Sequence, residues 1–192
     1  MRNKFNALKR LKLNNDGITL VEIMAVLAII AIMVGVGMTS WAVVKNADVS
    51  KAGRNIMTAY DKLKTYTMSK NGEWRMEIYK NDKGMYYAGV YCRDAVTGLD
   101  VADGDVVELG KYIDIYFKDE NESSDIYIDE STPLKIYLKP STGGVNKIKL
   151  GDIVKYDSAG EYESSYGNIE ITYNNLTNKN VKIYYVTGKV VD

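Results

Sequence analysis

The chain has no histidine, which removes the commonest general base, the commonest zinc ligand and every serine–histidine or cysteine–histidine nucleophile pair. A single cysteine, Cys92, excludes an intrachain disulfide and a multi-cysteine metal site, although a domain of this size can be exported without disulfides. Net charge is missing too. The 25 lysines and arginines equal the 25 aspartates and glutamates, so the molecule as a whole offers no field that would draw nucleic acid or an anionic surface. There is no repeat of fixed period and no low-complexity linker, and 192 residues leave room for one domain of ordinary size with an appendage. Hydrolytic chemistry loses its usual residues, and the carboxylates show no spacing that argues for an acid–base pair. The chain is expected not to be an enzyme and to need no cofactor.

What is present is unevenly placed. Arg2, Lys4, Lys9, Arg10 and Lys12 crowd the front, against only Asp16 and Glu22 up to that point, so the remainder is mildly acidic. From Ile23 to Met38 no polar residue occurs, and after Thr39 and Ser40 the apolar character resumes through Trp41 to Val44. Counted from Ile18, this run suffices to cross a hydrocarbon core, which takes roughly 20 residues. The basic front then puts Met1 in the cytoplasm and everything after Val44 outside, with Trp41 near the outer interface. Glu22 stands just inside the apolar run. A carboxylate at a bilayer centre costs about 2.5–3.5 kcal/mol on insertion scales, so it needs compensation by position, partner or protonation.

The helical signal continues beyond Val44. Val44, Ala47, Ala52, Ile56, Ala59 and Leu63 recur at helical spacing, while Lys45, Asp48, Lys51, Arg54, Asn55, Asp61 and Lys62 fill the other side. A helix from Ile18 to about Ser69 would be of the order of 80 Å long. "KNGE", Lys70 to Glu73, is its stop signal, with Asn71 and Gly72 able to take a left-handed conformation. After Trp74 the period changes to two. "WRMEIY", "MYYAGVY", "YIDIYF", "IYI", "LKIYL", "IEITY" and "KIYYV" read as strands of an antiparallel sheet. "NDKG", "TGLDVADGD", "KDENESSD", "KPSTGG" and "YNNLTNKN" punctuate them. The expected fold is α+β, a long helix whose amphipathic second half packs on the apolar face of the sheet.

The front of the chain resembles the class III signal of type IV prepilins and of the pseudopilins of type II secretion and competence systems. A charged leader ends at Gly17, and Ile18, Thr19, Leu20, Val21 and Glu22 lead into the apolar run. The resemblance implies that a prepilin peptidase removes residues 1–17, cutting between Gly17 and Ile18, and that the new amino terminus on Ile18 is N-methylated. Isoleucine stands where the family often has phenylalanine or methionine. Residues 18–44 would then be the membrane and filament-core half of the helix, 45–70 its amphipathic half, and 71–192 an extracytoplasmic β-rich domain. Glu22 would pair with the amino terminus of a neighbouring subunit and set register. The alternative for Glu22 is a hydrated carboxylate near the cytoplasmic interface. Implied partners are the prepilin peptidase, copies of the chain or other pilins, an inner-membrane assembly platform and the lipid bilayer. Implied locations are the membrane and, after assembly, a cell-surface filament.

Other features are weighed beside this one. "KIYYVTGKVVD", Lys182 to Asp192, is similar to the terminal strand pair of minor pseudopilins of the GspH and FimT type, some of which bind DNA through two basic residues after a glycine. Gly188 and Lys189 fit, but Val190, Val191 and Asp192 follow, and one lysine on an acidic body argues against nucleic acid as a partner. Asp94, Asp100, Asp103 and Asp105 gather in one glycine-containing stretch; of these Asp100, Asp103 and Asp105 are weak calcium candidates, though aspartate and glycine also make ordinary turns. Cys92 reads as a small core residue. The competing reading is a generic single-pass anchored or secreted β-rich protein, with "SWA", Ser40 to Ala42, as a signal-peptidase site.

Overall fold

Helix α1, Leu20–Ser69, is the one α-helix among the described residues. The computed structural model describes residues 19–93, 97–98, 100–102, 106–160, 164–174 and 177–192, and leaves out the side chains of residues 37–42. The helix ends where its sequence turns to Lys70-Asn71-Gly72. The Lys70 amide still donates to the Tyr66 carbonyl at 2.8 Å, and Gly72 then takes φ +127°. It is Gly72 and not Asn71 that makes the exit, and a Cβ there would lie 2.8 Å from Cys92 Sγ.

The chain divides into two units, residues 1–41 and 42–192. In the second, α1 buries Val49, Ala52, Ile56, Ala59, Tyr60 and Leu63, one face at spacings of one, three and four residues. Val44 and Ala47, expected on this face, are exposed. At 100° per residue they sit away from Ile56, and the packed stripe begins only at Val49.

The strands form two antiparallel sheets, where the sequence reading expects one. The first contains β1 (Glu73–Lys80), β2 (Tyr86–Arg93), β3 (Asp100–Ala102), β4 (Val107–Gly110), β7 (Leu134–Leu138), β8 (Val145–Leu150) and β9 (Ile153–Asp157). Its order is β3-β2-β1-β7-β8-β9, with β4 also on β2. The second contains β5 (Asp114–Asp119), β6 (Ile126–Tyr127), β10 (Tyr166–Tyr173), β11 (Thr177–Tyr184) and β12 (Lys189–Val191), in the order β12-β11-β10-β5-β6. Alternation tells which face of a strand is apolar but not which strand lies beside it. β1 therefore pairs with both β2 and the distant β7, Met76 opposite Val90 and Ile136, while β5 crosses to β10, Phe117 opposite Ile169.

The seven expected strands are found, β12 pairs with β11 as the terminal strand pair expected at Lys182 to Asp192, and four more are present. β3, β4, β8 and β9 were hidden by lysines and turn residues; in β8, "VNKIKL", Lys147 and Lys149 face outwards while Ile148 and Leu150 are buried. β3 lies inside "TGLDVADGD", and β11 claims Thr177 to Asn180 from "YNNLTNKN" because the ladder to β10 continues that far. Both sheets and α1 share one apolar core that includes Met76, Ile136, Phe117, Ile171 and Leu63. Cys92 is half-buried at the margin of that core.

One buried polar group ties the second sheet together. Asp119 accepts from the Tyr185 hydroxyl at 2.6 Å and from the Ser164 hydroxyl and the Asn121 amide. Burial first, then the Asp119 carboxylate, pushes the Tyr185 phenol far above its ordinary range, so it remains the donor at all accessible pH. Tyr185→Phe is expected to cost about 1.5–3 kcal/mol in urea unfolding, the range for a hydrogen bond to a charged group.

A second carboxylate makes a pH marker. Asp129 Oδ1 accepts from the Ser131 and Thr132 amides, each at 2.8 Å, and from both hydroxyls. The Ser131 and Thr132 hydrogen bonds hold its pKa down at about 2, from 3.8. Because the folded value is lowered, the stabilisation is complete above the unfolded pKa near 4 and is lost as pH falls through 2. Asp129→Asn is expected to lower Tm at pH 7, where the ionised carboxylate stabilises the fold, and to converge on wild type as pH falls from 4 to 2, which flattens the Tm-against-pH curve of the variant in that window.

Candidate functional site

The described part of the first unit is the opening of α1, and Thr19 and Glu22 build it together. Glu22 Oε2 accepts from the Thr19 amide and from the Thr19 hydroxyl, both at 3.0 Å, and Thr19 Oγ1 accepts from the Glu22 amide at 3.3 Å. The Thr19 carbonyl takes the first helical bond, from Ile23 at 3.2 Å. This is a capping box: a threonine cap whose hydroxyl meets the third helical amide, and a glutamate there that reaches back to the cap's own amide. The sequence reading missed it, although the T-x-x-E spacing before an apolar run was its signal. Glu22 thus satisfies orphan donors at a helix N-terminus, where the dipole favours an anion.

Past Glu22 the described side chains to Val36 are exposed, large apolar ones included; Ile32 is 67 % and Met33 69 % exposed. They lie all round the helix, with no polar face. A helix apolar on every side is one that other matter covers, protein or lipid. Among the described residues no helix is long and apolar enough to cross a membrane. The Trp41 side chain lies outside the description, as do Gly17 and Ile18.

The weaker candidates resolve differently. Of the calcium candidates, Asp103 and Asp105 lie outside the described residues, as does Asp94. Asp100 Oδ1 accepts from Arg75 Nη1 at 2.5 Å, and Glu77 holds the same guanidinium at 3.2 Å. The Arg75 hydrogen bond sets the Asp100 carboxyl below its ordinary pKa, so that oxygen serves an ion pair on the outer face of the first sheet. Among the described residues no group of three or more acidic or cysteine side chains could hold a metal. Gly188 is buried at φ +57° in the β11–β12 turn, and Lys189 is exposed beside it with its amide on Thr187 Oγ1.

One long helix entering a core of antiparallel sheets is an α+β architecture consistent with a type IV pilin-like fold. Residues 12–38 match the prokaryotic N-terminal methylation motif, which marks type IV prepilin-like proteins. The match covers Glu22 and its cap and implies, in general, prepilin-peptidase processing and assembly with other pilins. No curated protein and no solved structure matches the chain.

Proposed function

We propose that this chain is a structural subunit of a type IV filament, either a pilus or a secretion or competence pseudopilus, with no catalytic role. A prepilin peptidase cuts between Gly17 and Ile18, and Ile18 becomes a methylated amino terminus. Residues 18–44 hold the subunit in the membrane, amino terminus cytoplasmic and residues 71–192 outside, until the same helix is drawn into the filament. The observation that carries this reading is the uncovered helix from Leu20 to Val36, apolar all round and opened by Glu22 inside the methylation motif. Each Leu, Ile or Val moved from water into lipid or a bundle contributes about 1.5–3 kcal/mol, so a helix of this kind is used inside one or the other. The chemistry of the cut explains the carboxylate: it leaves an ammonium on Ile18 in apolar surroundings, which Glu22 of a neighbour can neutralise.

The test is intact mass and amino-terminal sequencing of the chain made with and without a prepilin peptidase, beside Gly17→Ala. A mature chain beginning at methylated Ile18, lost in both controls, is the expected result. A chain that keeps Met1, or that starts after Ala42, sinks the reading in favour of a plain anchored or secreted domain.

A further inference from the structure

One end of the first sheet is left open. The β1–β7 ladder stops at Arg75 opposite Tyr137, and beyond that pair lies a cleft of about 240 Å³. Trp74 and Tyr137 supply its aromatic surface, Leu138 and Pro140 its aliphatic surface, and Glu73 its one charge, while Thr67 of α1 lines it as well. Aromatic and aliphatic walls with a few placed polar groups are the usual make-up of a small-ligand site. Thr67 is set apart from the other hydroxyls of its helix. Thr58, Thr65 and Ser69 each donate to the carbonyl four residues earlier, at 2.9, 2.9 and 2.6 Å. Thr67 is only 5 % exposed, and its hydroxyl has no partner among the described residues. A buried hydroxyl left without a hydrogen bond is costly, so it favours a ligand that brings a donor.

Charge narrows the donor further. The cations that flank Tyr137 across the ladders are engaged elsewhere, Arg75 by Asp100 at 2.5 Å and Glu77 at 3.2 Å, and Lys147 by Asp157 at 2.9 Å. Glu73 is exposed and belongs to no ion pair among the described residues. No lysine or arginine lines the cleft, and among the described residues no cation stands over the Tyr137 ring. The same end of the domain already holds one ammonium on aromatic rings, since Lys70 Nζ stands 3.7 Å from the Tyr66 centroid and 5.1 Å from that of Trp74.

We propose that the cleft binds a primary alkylammonium group, carried by a lysine side chain or by a free aliphatic amine. Such a group has three N–H donors for the acceptors Glu73 and Thr67, a charge for the open face of Tyr137, and a carbon stem for Leu138 and Pro140. An anion would instead meet the unpaired Glu73 carboxylate. The site stands independently of the filament reading.

The test titrates the full chain in a neutral detergent with n-butylammonium chloride, in a Trp41→Phe background so that fluorescence reports Trp74 alone. A saturable change with a Kd of about 1–10 mM is expected. Sodium chloride at equal concentration should give none, and 1-butanol, which keeps the stem and lacks the charge, should bind more than about tenfold more weakly. Glu73→Gln and Tyr137→Leu are each expected to weaken n-butylammonium about fivefold. Glu73→Gln should keep the wild-type Tm, because that side chain is exposed and outside any ion pair. Nα-acetyl-lysine methylamide binding as tightly as n-butylammonium assigns the site to a lysine side chain, and a loss of about tenfold or more assigns it to a free amine. No saturation by n-butylammonium, equal binding of 1-butanol, or a Glu73→Gln variant that binds as well as wild type would each overturn the proposal.

Discussion

Gly188→Val is expected to abolish stable folding of the β-rich domain, with a loss of more than about 4 kcal/mol by urea unfolding, a size reserved for a few mechanisms. Two of them act here. Gly188 has φ +57°, where a β-branched residue is strained, and a Cβ would run into the Gly143 carbonyl oxygen and lie 3.2 Å from Gly144 Cα. These obstacles are backbone and cannot swing aside. The position is crowded because two turns meet there chain to chain. Val145 donates to the Tyr185 carbonyl at 2.7 Å, and Gly188 to Tyr184 at 2.8 Å. A Cβ at Gly144 would sit 2.5 Å from the Val186 carbonyl oxygen, and Lys64 of α1 donates to the Gly188 carbonyl at 3.2 Å. Gly98 provides the control: its φ is +67° with nothing within 4 Å of a Cβ, so Gly98→Ala should cost only the conformational term, about 1–2 kcal/mol. Equal, small losses at both positions would mean that the turns do not meet as described. The glycine before Lys189 thus has a sufficient structural reason to be there.

Glu22→Gln is expected to cut filament yield on the order of 100-fold or more while cleavage and membrane storage continue. The substitution separates the cap that this side chain makes from the register role proposed for it. Glutamine can complete a capping box, so the bonds that Glu22 makes to the Thr19 amide and hydroxyl have a replacement, and the helix keeps its start. What is lost is the charge. Removing one partner of a buried ion pair leaves the other unpaired, at about 3–5 kcal/mol, which is two to three decades in an assembly equilibrium. Sheared-filament yield beside circular dichroism of the detergent-held chain reads both effects. If Glu22→Gln assembles normally and only Glu22→Leu fails, the residue is a helix cap and the register role is wrong.

Local features of this molecule were open to sequence reasoning, and one was overlooked there. The helix, its stop at Lys70 to Gly72, the alternation of strands such as Glu73–Lys80 and Leu134–Leu138, and the motif at 12–38 each depend on neighbours within a few residues. The Thr19–Glu22 box belongs with them, since its two residues are three apart. The lysine-bearing β8 and β9 were harder to see because an outward lysine weakens the apolar alternation without weakening the buried face, where Ile148 and Leu150 still point inwards.

The sequence by itself determined an α+β chain that opens on a basic stretch, passes into a helix with a glutamate at its threshold, and ends in a β-rich body. Those are short-range matters of dihedral preference, capping and periodicity. Only the tertiary structure decided that the strands divide into two sheets, that Val49 and not Val44 begins the packed face of α1, that Asp100 serves Arg75, and that Gly188 lies against Gly143 and Gly144. Each of these depends on segments tens of residues apart competing for the same partners. Packing and backbone hydrogen bonding across the whole core settle that competition, and no window of sequence contains it.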